Sequence, residues 1–185
     1  MLYKTLRNNV IDWWRKNISK PLIPLFHIFE RIKLNPNHLT LIGLLLGLFG
    51  VYYFYIGNHL LFSIFILIHI LFDVLDGNYA RYLKNWKNRG EYLDFSVDSG
   101  LVVVLLIISY LMNIVNTKLI LISIILFLIH HIWHLLSKLK SPWAPSRTWL
   151  FVFYVFSLFI LGIWITLILS LFGIILQIIE IIKNK

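Results

Sequence analysis

The chain has 185 residues, of which 59% are hydrophobic and 14% are charged, and its formal net charge is +9. Soluble domains carry about 25% charged residues, so this composition excludes an ordinary water-soluble domain and indicates a membrane protein. Cysteine is absent, which excludes disulfide bonds and thiolate chemistry.

The N-terminal segment, residues 1–36, is predicted to be an arm separate from the membrane domain of residues 37–185. Across residues 7–20, tryptophan and aliphatic residues interleave with arginine and lysine. This pattern is typical of an amphipathic helix that lies in the membrane interface. Pro21 and Pro24 are expected to end or kink that helix.

The remaining sequence predicts an all-α bundle of six membrane-spanning helices, each near the ~20 residues that a bilayer core requires. The predicted spans are 38–57, 60–81, 92–113, 118–138, 147–161 and 164–182. The last boundary depends on a predicted turn at Gly162 and Trp164, which leaves the fifth span short.

The distribution of charge predicts the orientation of these spans. If both termini lie on one side, that side holds every Lys and Arg residue except Lys118. The positive-inside rule then makes it the cytosolic side. We expect a multi-pass integral membrane protein, in the cell membrane if the source is prokaryotic. Its basic loops favour contact with anionic lipids rather than nucleic acid.

Four carboxylates border the apolar runs on this predicted cytosolic side. Asp73 and Asp76 are spaced i, i+3, and Asp94 and Asp98 are spaced i, i+4, so each pair projects from one face of a helix. Carboxylates near a bilayer are costly and mostly functional. Four converging carboxylates repel one another unless cations lie between them, and all-oxygen ligands suit Mg²⁺ or Mn²⁺. Arg81 alone cannot balance them.

The same segment resembles the signature of the CDP-alcohol phosphotransferase (CDP-alcohol phosphatidyltransferase) family. The run Asp73–Arg81 reads D-V-L-D-G-N-Y-A-R. After eight intervening residues come Gly90, Asp94 and Asp98 at intervals of four. The opening of the first span, Pro36–Thr40, also looks like the family. Eight specified residues at fixed distances form a specific motif.

The resemblance implies an enzyme that transfers a substituted phosphate group from a CDP-linked donor to an alcohol and releases CMP. The donor is expected to be CDP-diacylglycerol or an ether-lipid equivalent, and the acceptor a small polar alcohol. Two Mg²⁺ or Mn²⁺ ions and a homodimer are also expected. The implied metal ligands are Asp73, Asp76, Asp94 and Asp98, with Asp98 also the base. The implied donor contacts are Asp73, Asp76, Gly77, Ala80, Arg81 and Gly90.

Basic residues after the fourth span are candidates for binding the acceptor. Lys138, Lys140 and Arg147 are placed to hold a phosphorylated alcohol, although an ordinary basic loop that binds lipid headgroups fits them as well. The sequence does not choose among the acceptors of the family. The chain lacks the Ala-Arg-Ala element associated with glycerol phosphate and inositol phosphate enzymes, which counts against these two acceptors.

Histidines in the second and fourth spans have alternative interpretations. His69 lies one turn before Asp73 and is expected either to orient that carboxylate or to pack between helices. His130, His131 and His134 have spacings that zinc sites use. Lining of the acceptor cavity and packing between helices are the other interpretations.

Two other classes of function use acidic residues in membranes. An intramembrane prenyltransferase would use paired aspartates and Mg²⁺ to activate a diphosphate. A divalent-cation transporter would line its path with carboxylates near the middle of the membrane.

Overall fold

The computed structural model describes residues 20–83, 88–137 and 146–183, and the regular elements in these ranges are all helices. Helix α1 covers residues 20–31. The following helices are α2 (Pro36–Tyr55), α3 (His59–Tyr82), α4 (Asn88–Leu111), α5 (Thr117–Leu136), α6 (Ser146–Val155) and α7 (Phe159–Lys183). The predicted all-α class is confirmed, and the first four predicted spans agree with α2 to α5 to within a few residues.

Asparagines provide the N-terminal caps of α2, α3 and α5. Asn35 Oδ1 accepts from the backbone N–H of His38 at 3.2 Å, while His38 Nδ1 accepts from the backbone N–H of Asn35 at 3.4 Å. Asn58 and Asn116 accept from backbone N–H groups of their own first turns at 3.1 Å and 2.8 Å. These bonds satisfy donors that the helix leaves unpaired, so each helix begins at its asparagine.

The packing has the polarity expected of a membrane protein. Large apolar side chains point outward, among them Leu60, Leu136 and Phe156, which are 72%, 77% and 70% exposed. Polar side chains are buried between helices instead: Thr40, His69, Asp76, Asp98, Ser109, His130, His131, Thr166, Ser170 and Gln177. Five helices in the described ranges, α2, α3, α4, α5 and α7, are long and apolar enough to cross a membrane.

The short helix α6 runs alongside α4, from the level of Asp98 to the level of Ser109. Near its start, Arg147 contacts Asp98, and near its end the Tyr154 hydroxyl lies 2.6 Å from Ser109 Oγ. Ser63, near the start of α3, donates to the carbonyl of Val155 at 2.8 Å. Successive helices from α2 onward run in opposite directions, and α6 follows this pattern. α7 then runs back toward the end of the bundle that contains Asp98.

Two predictions about the last spans are wrong. The predicted span 147–161 is a helix of only 10 residues, Ser146–Val155, which extends about 15 Å and cannot cross a bilayer core alone. The turn lies between Val155 and Phe159, where Ser157 adopts a φ of 58°, rather than at Gly162. Gly162 lies inside α7, where a Cβ atom would be 3.0 Å from the Tyr154 ring. This glycine permits close helix packing instead of a turn.

Helix α1 is anchored to the C-terminal end of α3. Phe26 is fully buried, with its ring 5.4 Å from that of Tyr79 and 5.3 Å from that of Tyr82. The chain is helical from residue 20 to residue 31, including Pro21 and Pro24. Residues 1–19, which carry most of the predicted amphipathic helix, lie outside the described residues.

Candidate metal centre

Three of the four predicted carboxylates converge between α3 and α4, which both pack on α2. One oxygen each from Asp73, Asp76 and Asp94 can be chosen so that all three lie within 4.8 Å of one another. We call these residues the carboxylate cluster. Asp76 is buried, and the other two are partly buried. Three anionic oxygens at this distance in apolar surroundings form a suitable ligand set for a hard divalent cation, which would remove their mutual repulsion.

The sequence places the cluster on facing sides of two antiparallel helices. Asp73 and Asp76 lie about one turn apart in the last half of α3, and Asp94 lies in the first half of α4. The third side is covered by α2, which packs on both helices. The cluster is thus built within the helices rather than on loops, and the helix packing holds its spacing.

Thr40 on α2 is a partner of the cluster to which the sequence analysis assigned no role. The hydroxyl oxygen Oγ1 of Thr40 lies 2.5 Å from Asp76 Oδ2 and 3.3 Å from the carbonyl oxygen of Pro36. A hydroxyl has one proton, so the shorter contact to the carboxylate is the dominant hydrogen bond. The hydroxyl at the start of the first span was visible in the sequence, but its partner on α3 was not.

Asp98, the fourth predicted carboxylate, is held by two other side chains. The group of oxygens within 4.8 Å of one another does not extend to it. Its Oδ2 atom lies 2.9 Å from Arg147 Nη1, and its Oδ1 atom lies 3.4 Å from His69 Nε2. Asp98 is 5% exposed, so the guanidinium provides the charge balance that a buried carboxylate needs. The contact recorded for His69 is with Asp98, not with Asp73 as the helix spacing suggested.

Arg147 belongs to this site and not to a basic loop at the membrane surface. Its side chain is 14% exposed, and its guanidinium carbon lies 5.3 Å from the centre of the Phe95 ring. Lys138 and Lys140, the other two predicted acceptor contacts, lie outside the described residues.

The residues that the family resemblance assigns to the donor continue along α3 from the cluster. Gly77 faces the side chain of Arg81, because a Cβ atom on Gly77 would lie 3.5 Å from Arg81 Nη1. Ala80 is buried, whereas Arg81 is exposed and near the C-terminal end of the helix. Gly90 is in the first turn of α4. A small residue under an exposed guanidinium leaves space for an anionic ligand beside the cluster.

The three histidines of α5 are buried packing residues in this structure. His131 stacks on Phe127 at 3.7 Å and faces Phe95 at 5.3 Å. His130 lies against Gly173 of α7, where a Cβ atom would overlap the imidazole ring. Among the described residues, the group with metal-ligand spacing is the carboxylate cluster and does not include these histidines.

Comparison with known proteins supports the resemblance seen in the motif. A family model described as CDP-alcohol phosphatidyltransferase matches residues 33–179. An archaetidylinositol phosphate synthase from Pyrococcus horikoshii is 32% identical over 84 residues, which cover 45% of this chain and 45% of that protein. A protein from Aquifex aeolicus described as uncharacterized is 36% identical over 77 residues, which cover 42% of this chain and 39% of that protein. Each alignment spans less than half of the relative's length.

Proposed function

The chain belongs to the CDP-alcohol phosphatidyltransferase family, and we propose that it transfers a phosphatidyl-type group from a CDP-linked lipid to a small polar alcohol in phospholipid biosynthesis. The observation that carries this proposal is the carboxylate cluster, which lies within the family motif at the junction of α3 and α4. Phosphoryl transfer needs mainly positioning and charge stabilisation, and this site is built to supply both.

Divalent ions, Mg²⁺ or Mn²⁺, would be held by the carboxylate cluster, with Asp98 as a further ligand to one of two ions. When bound, such ions neutralise the diphosphate and stabilise the departing phosphate. The exposed guanidinium of Arg81 would pair with the same diphosphate. Gly77 and Ala80 leave space for the nucleotide on this helix, and Gly90 would complete the contact from α4.

Asp98 is the proposed base. Its carboxylate would take the proton from the acceptor hydroxyl as that oxygen attacks the phosphorus distal to the cytidine. The new oxygen–phosphorus bond forms while the bond to the CMP oxygen breaks, and CMP leaves. Arg147 now pairs with Asp98 Oδ2 at 2.9 Å. An anionic acceptor that binds the guanidinium would draw it away and leave that oxygen ready for the proton.

Arg147 and one relative support a phosphorylated alcohol as the acceptor class. A partly buried guanidinium with five donors suits the phosphate of such an alcohol. The Pyrococcus relative is named for archaetidylinositol phosphate, so we place inositol phosphate first among the acceptors to be tested, even though this chain lacks the Ala-Arg-Ala element. Glycerol phosphate, inositol and serine follow. CDP-diacylglycerol and its ether-linked analogue are the two donors to compare.

The orientation of the site is proposed from the basic residues around it. Arg81, Arg147 and Lys183 lie toward the end of the bundle that contains the site, and Lys118 lies at the opposite end. The positive-inside rule then places the site on the cytosolic side of the membrane. A homodimer is also proposed, with exposed apolar residues of α4 and α5 as its contact surface.

The deciding experiment measures CMP release by the purified protein in lipid vesicles that contain each donor, with Mg²⁺ or Mn²⁺ and each acceptor in turn. Glu180→Gln is a suitable control, because it removes a carboxylate near the end of α7 rather than in the site. We expect both the unsubstituted protein and the Glu180→Gln control to release CMP, and this release should depend on the metal and on the acceptor. Pyrophosphate release from a prenyl diphosphate, or ion flux without turnover, would instead support the prenyltransferase or the transporter.

A further inference from the structure

His69 uses both of its ring nitrogens inside the protein. The residue is 2% exposed, with Nδ1 3.0 Å from the carbonyl oxygen of Gly43 and Nε2 3.4 Å from Asp98 Oδ1. A carbonyl oxygen and a carboxylate oxygen both only accept, so contact with both requires a hydrogen on each ring nitrogen: His69 is the imidazolium, with Nδ1–H donating to Gly43 and Nε2–H facing Asp98. The bond to Gly43 fixes the direction in which the opposite nitrogen points, which is toward the proposed base.

The pocket around His69 allows the ring little freedom. Gly43 and Gly47 on α2 give it room, because a Cβ atom on Gly47 would lie 3.4 Å from His69 Cγ and 2.5 Å from Leu101. The Phe151 ring meets the imidazole edge-on at 5.4 Å. α2, α4 and α6 therefore all contribute to the orientation of one side chain on α3.

Asp98 contacts Asp73 as well as two basic side chains, His69 and Arg147, and these two differ in how firmly they are held. The His69 side chain is 3% exposed and the Arg147 side chain is 14% exposed. His69 has two rotatable bonds and is enclosed by packing, whereas Arg147 has a long side chain that can reorient toward a ligand. The two residues also contact different oxygens, Oδ1 and Oδ2. Movement of Arg147 would therefore leave the contact at Oδ1 in place.

We propose that His69 is the positioning residue for Asp98: it holds Oδ1 through Nε2 and so keeps Oδ2 directed at the acceptor when Arg147 turns away. The proposal rests on the proposed function, since it assigns a role in the transfer step. His69 touches neither substrate in this scheme and acts only through Asp98. A positioning contact of this kind changes activity by about 10- to 100-fold when it is removed.

Three substitutions separate positioning from packing. In His69→Gln the side-chain amide nitrogen takes approximately the place of Nε2 and keeps a donor for Asp98. In His69→Asn the amide reaches only the Gly43 side, and His69→Phe fills the pocket without a donor. The measurements are kcat and the KM of donor and acceptor from CMP release, together with the thermal unfolding temperature of each variant in detergent.

We expect His69→Gln to keep kcat within about fivefold of the unsubstituted protein, and His69→Asn and His69→Phe to lose about 10- to 100-fold in kcat with little change in donor KM. A kcat for His69→Phe equal to that of the unsubstituted protein would overturn the proposal. Equal losses in the Gln and Asn variants, or a loss confined to donor KM, would also overturn it. If His69→Phe does not fold, the Gln and Asn pair decides.

Failure of this inference can be distinguished from failure of the proposed function. If the unsubstituted protein releases no CMP with any donor and acceptor, the function itself is wrong. If it releases CMP and the variants do not follow the expected order, the function stands and only the role of His69 falls.

Discussion

Arg147 Nη1 of α6 lies 2.9 Å from Asp98 Oδ2 of α4, and this ion pair joins the short helix to the proposed base. Asp98 is 5% exposed, so the pair is an ion pair inside the protein. Removing one member of such a pair leaves the charge of the other uncompensated. If an anionic ligand replaces Asp98 as the partner of Arg147, the charge of Arg147 stays compensated. In the proposed mechanism, the arrangement would therefore couple the state of Asp98 to binding of the acceptor at Arg147.

Asp98→Asn should abolish turnover while it preserves donor binding. Asparagine keeps the shape of the side chain but has no carboxylate to take the proton, and loss of a general base costs about 10²- to 10⁴-fold in rate. CMP release and metal-dependent binding of a CDP-lipid are the two measurements. Glu180→Gln should leave both unchanged. Near-normal CMP release by Asp98→Asn would contradict the role assigned to Asp98.

Arg147→Lys should raise the KM of a phosphorylated acceptor by about tenfold, because lysine keeps the charge but loses the planar set of donors that binds phosphate at two points. The KM of the donor should stay close to its original value. Steady-state kinetics with inositol phosphate and with inositol test this prediction, since the change should be larger for the phosphorylated acceptor. Arg31→Lys on α1 provides the matched control. An equal change in donor KM would argue against an acceptor contact.

Thr40→Val should weaken metal binding, because valine has nearly the same shape and lacks the hydroxyl that donates to Asp76 Oδ2 at 2.5 Å. The metal concentration that gives half-maximal CMP release should rise about tenfold or more. Thr40→Ser keeps the hydroxyl and should remain near the unsubstituted protein. Identical metal dependence of the two variants would mean that the hydrogen bond does not orient the cluster.

Gly47→Ala should destabilise the packing of α2 on α4. The added Cβ atom would lie 2.5 Å from Leu101 Cδ1, which is too close, whereas a Cβ atom on Gly100 meets nothing within 4 Å. Both substitutions place alanine in a helix and share its gain in helix propensity. Thermal unfolding in detergent should therefore show Gly47→Ala below Gly100→Ala, with overpacking that costs about 1–3 kcal/mol. Equal unfolding temperatures would show that Leu101 moves aside without cost.

The sequence was informative where a feature depends on local spacing. The apolar runs predicted α2 to α5 closely because each is long and bounded by polar residues. The intervals within the motif predicted that the aspartates share helix faces, and the family that the motif resembles is confirmed by the match over residues 33–179. The assignment of individual roles to these residues stays a prediction.

Features that depend on contacts between distant helices were not predicted. Ser157 is a single polar residue in the apolar stretch that follows Thr148, and the stretch contains no proline, so the turn at Ser157 gave only a weak signal and Gly162 was mistaken for it. The partners of Asp98 and Asp76 lie on other helices. Helix spacing alone does not reveal how those helices rotate against each other, since side-chain packing decides it.

The ten-residue length of α6 has a consequence for the lipids around the protein. A hydrocarbon layer ~30 Å thick is twice as deep as this helix is long. Acyl chains that border α6 must therefore shorten or disorder locally, or another surface must cover the difference. A change in membrane thickness would therefore be felt at α6, the helix that carries Arg147 to Asp98.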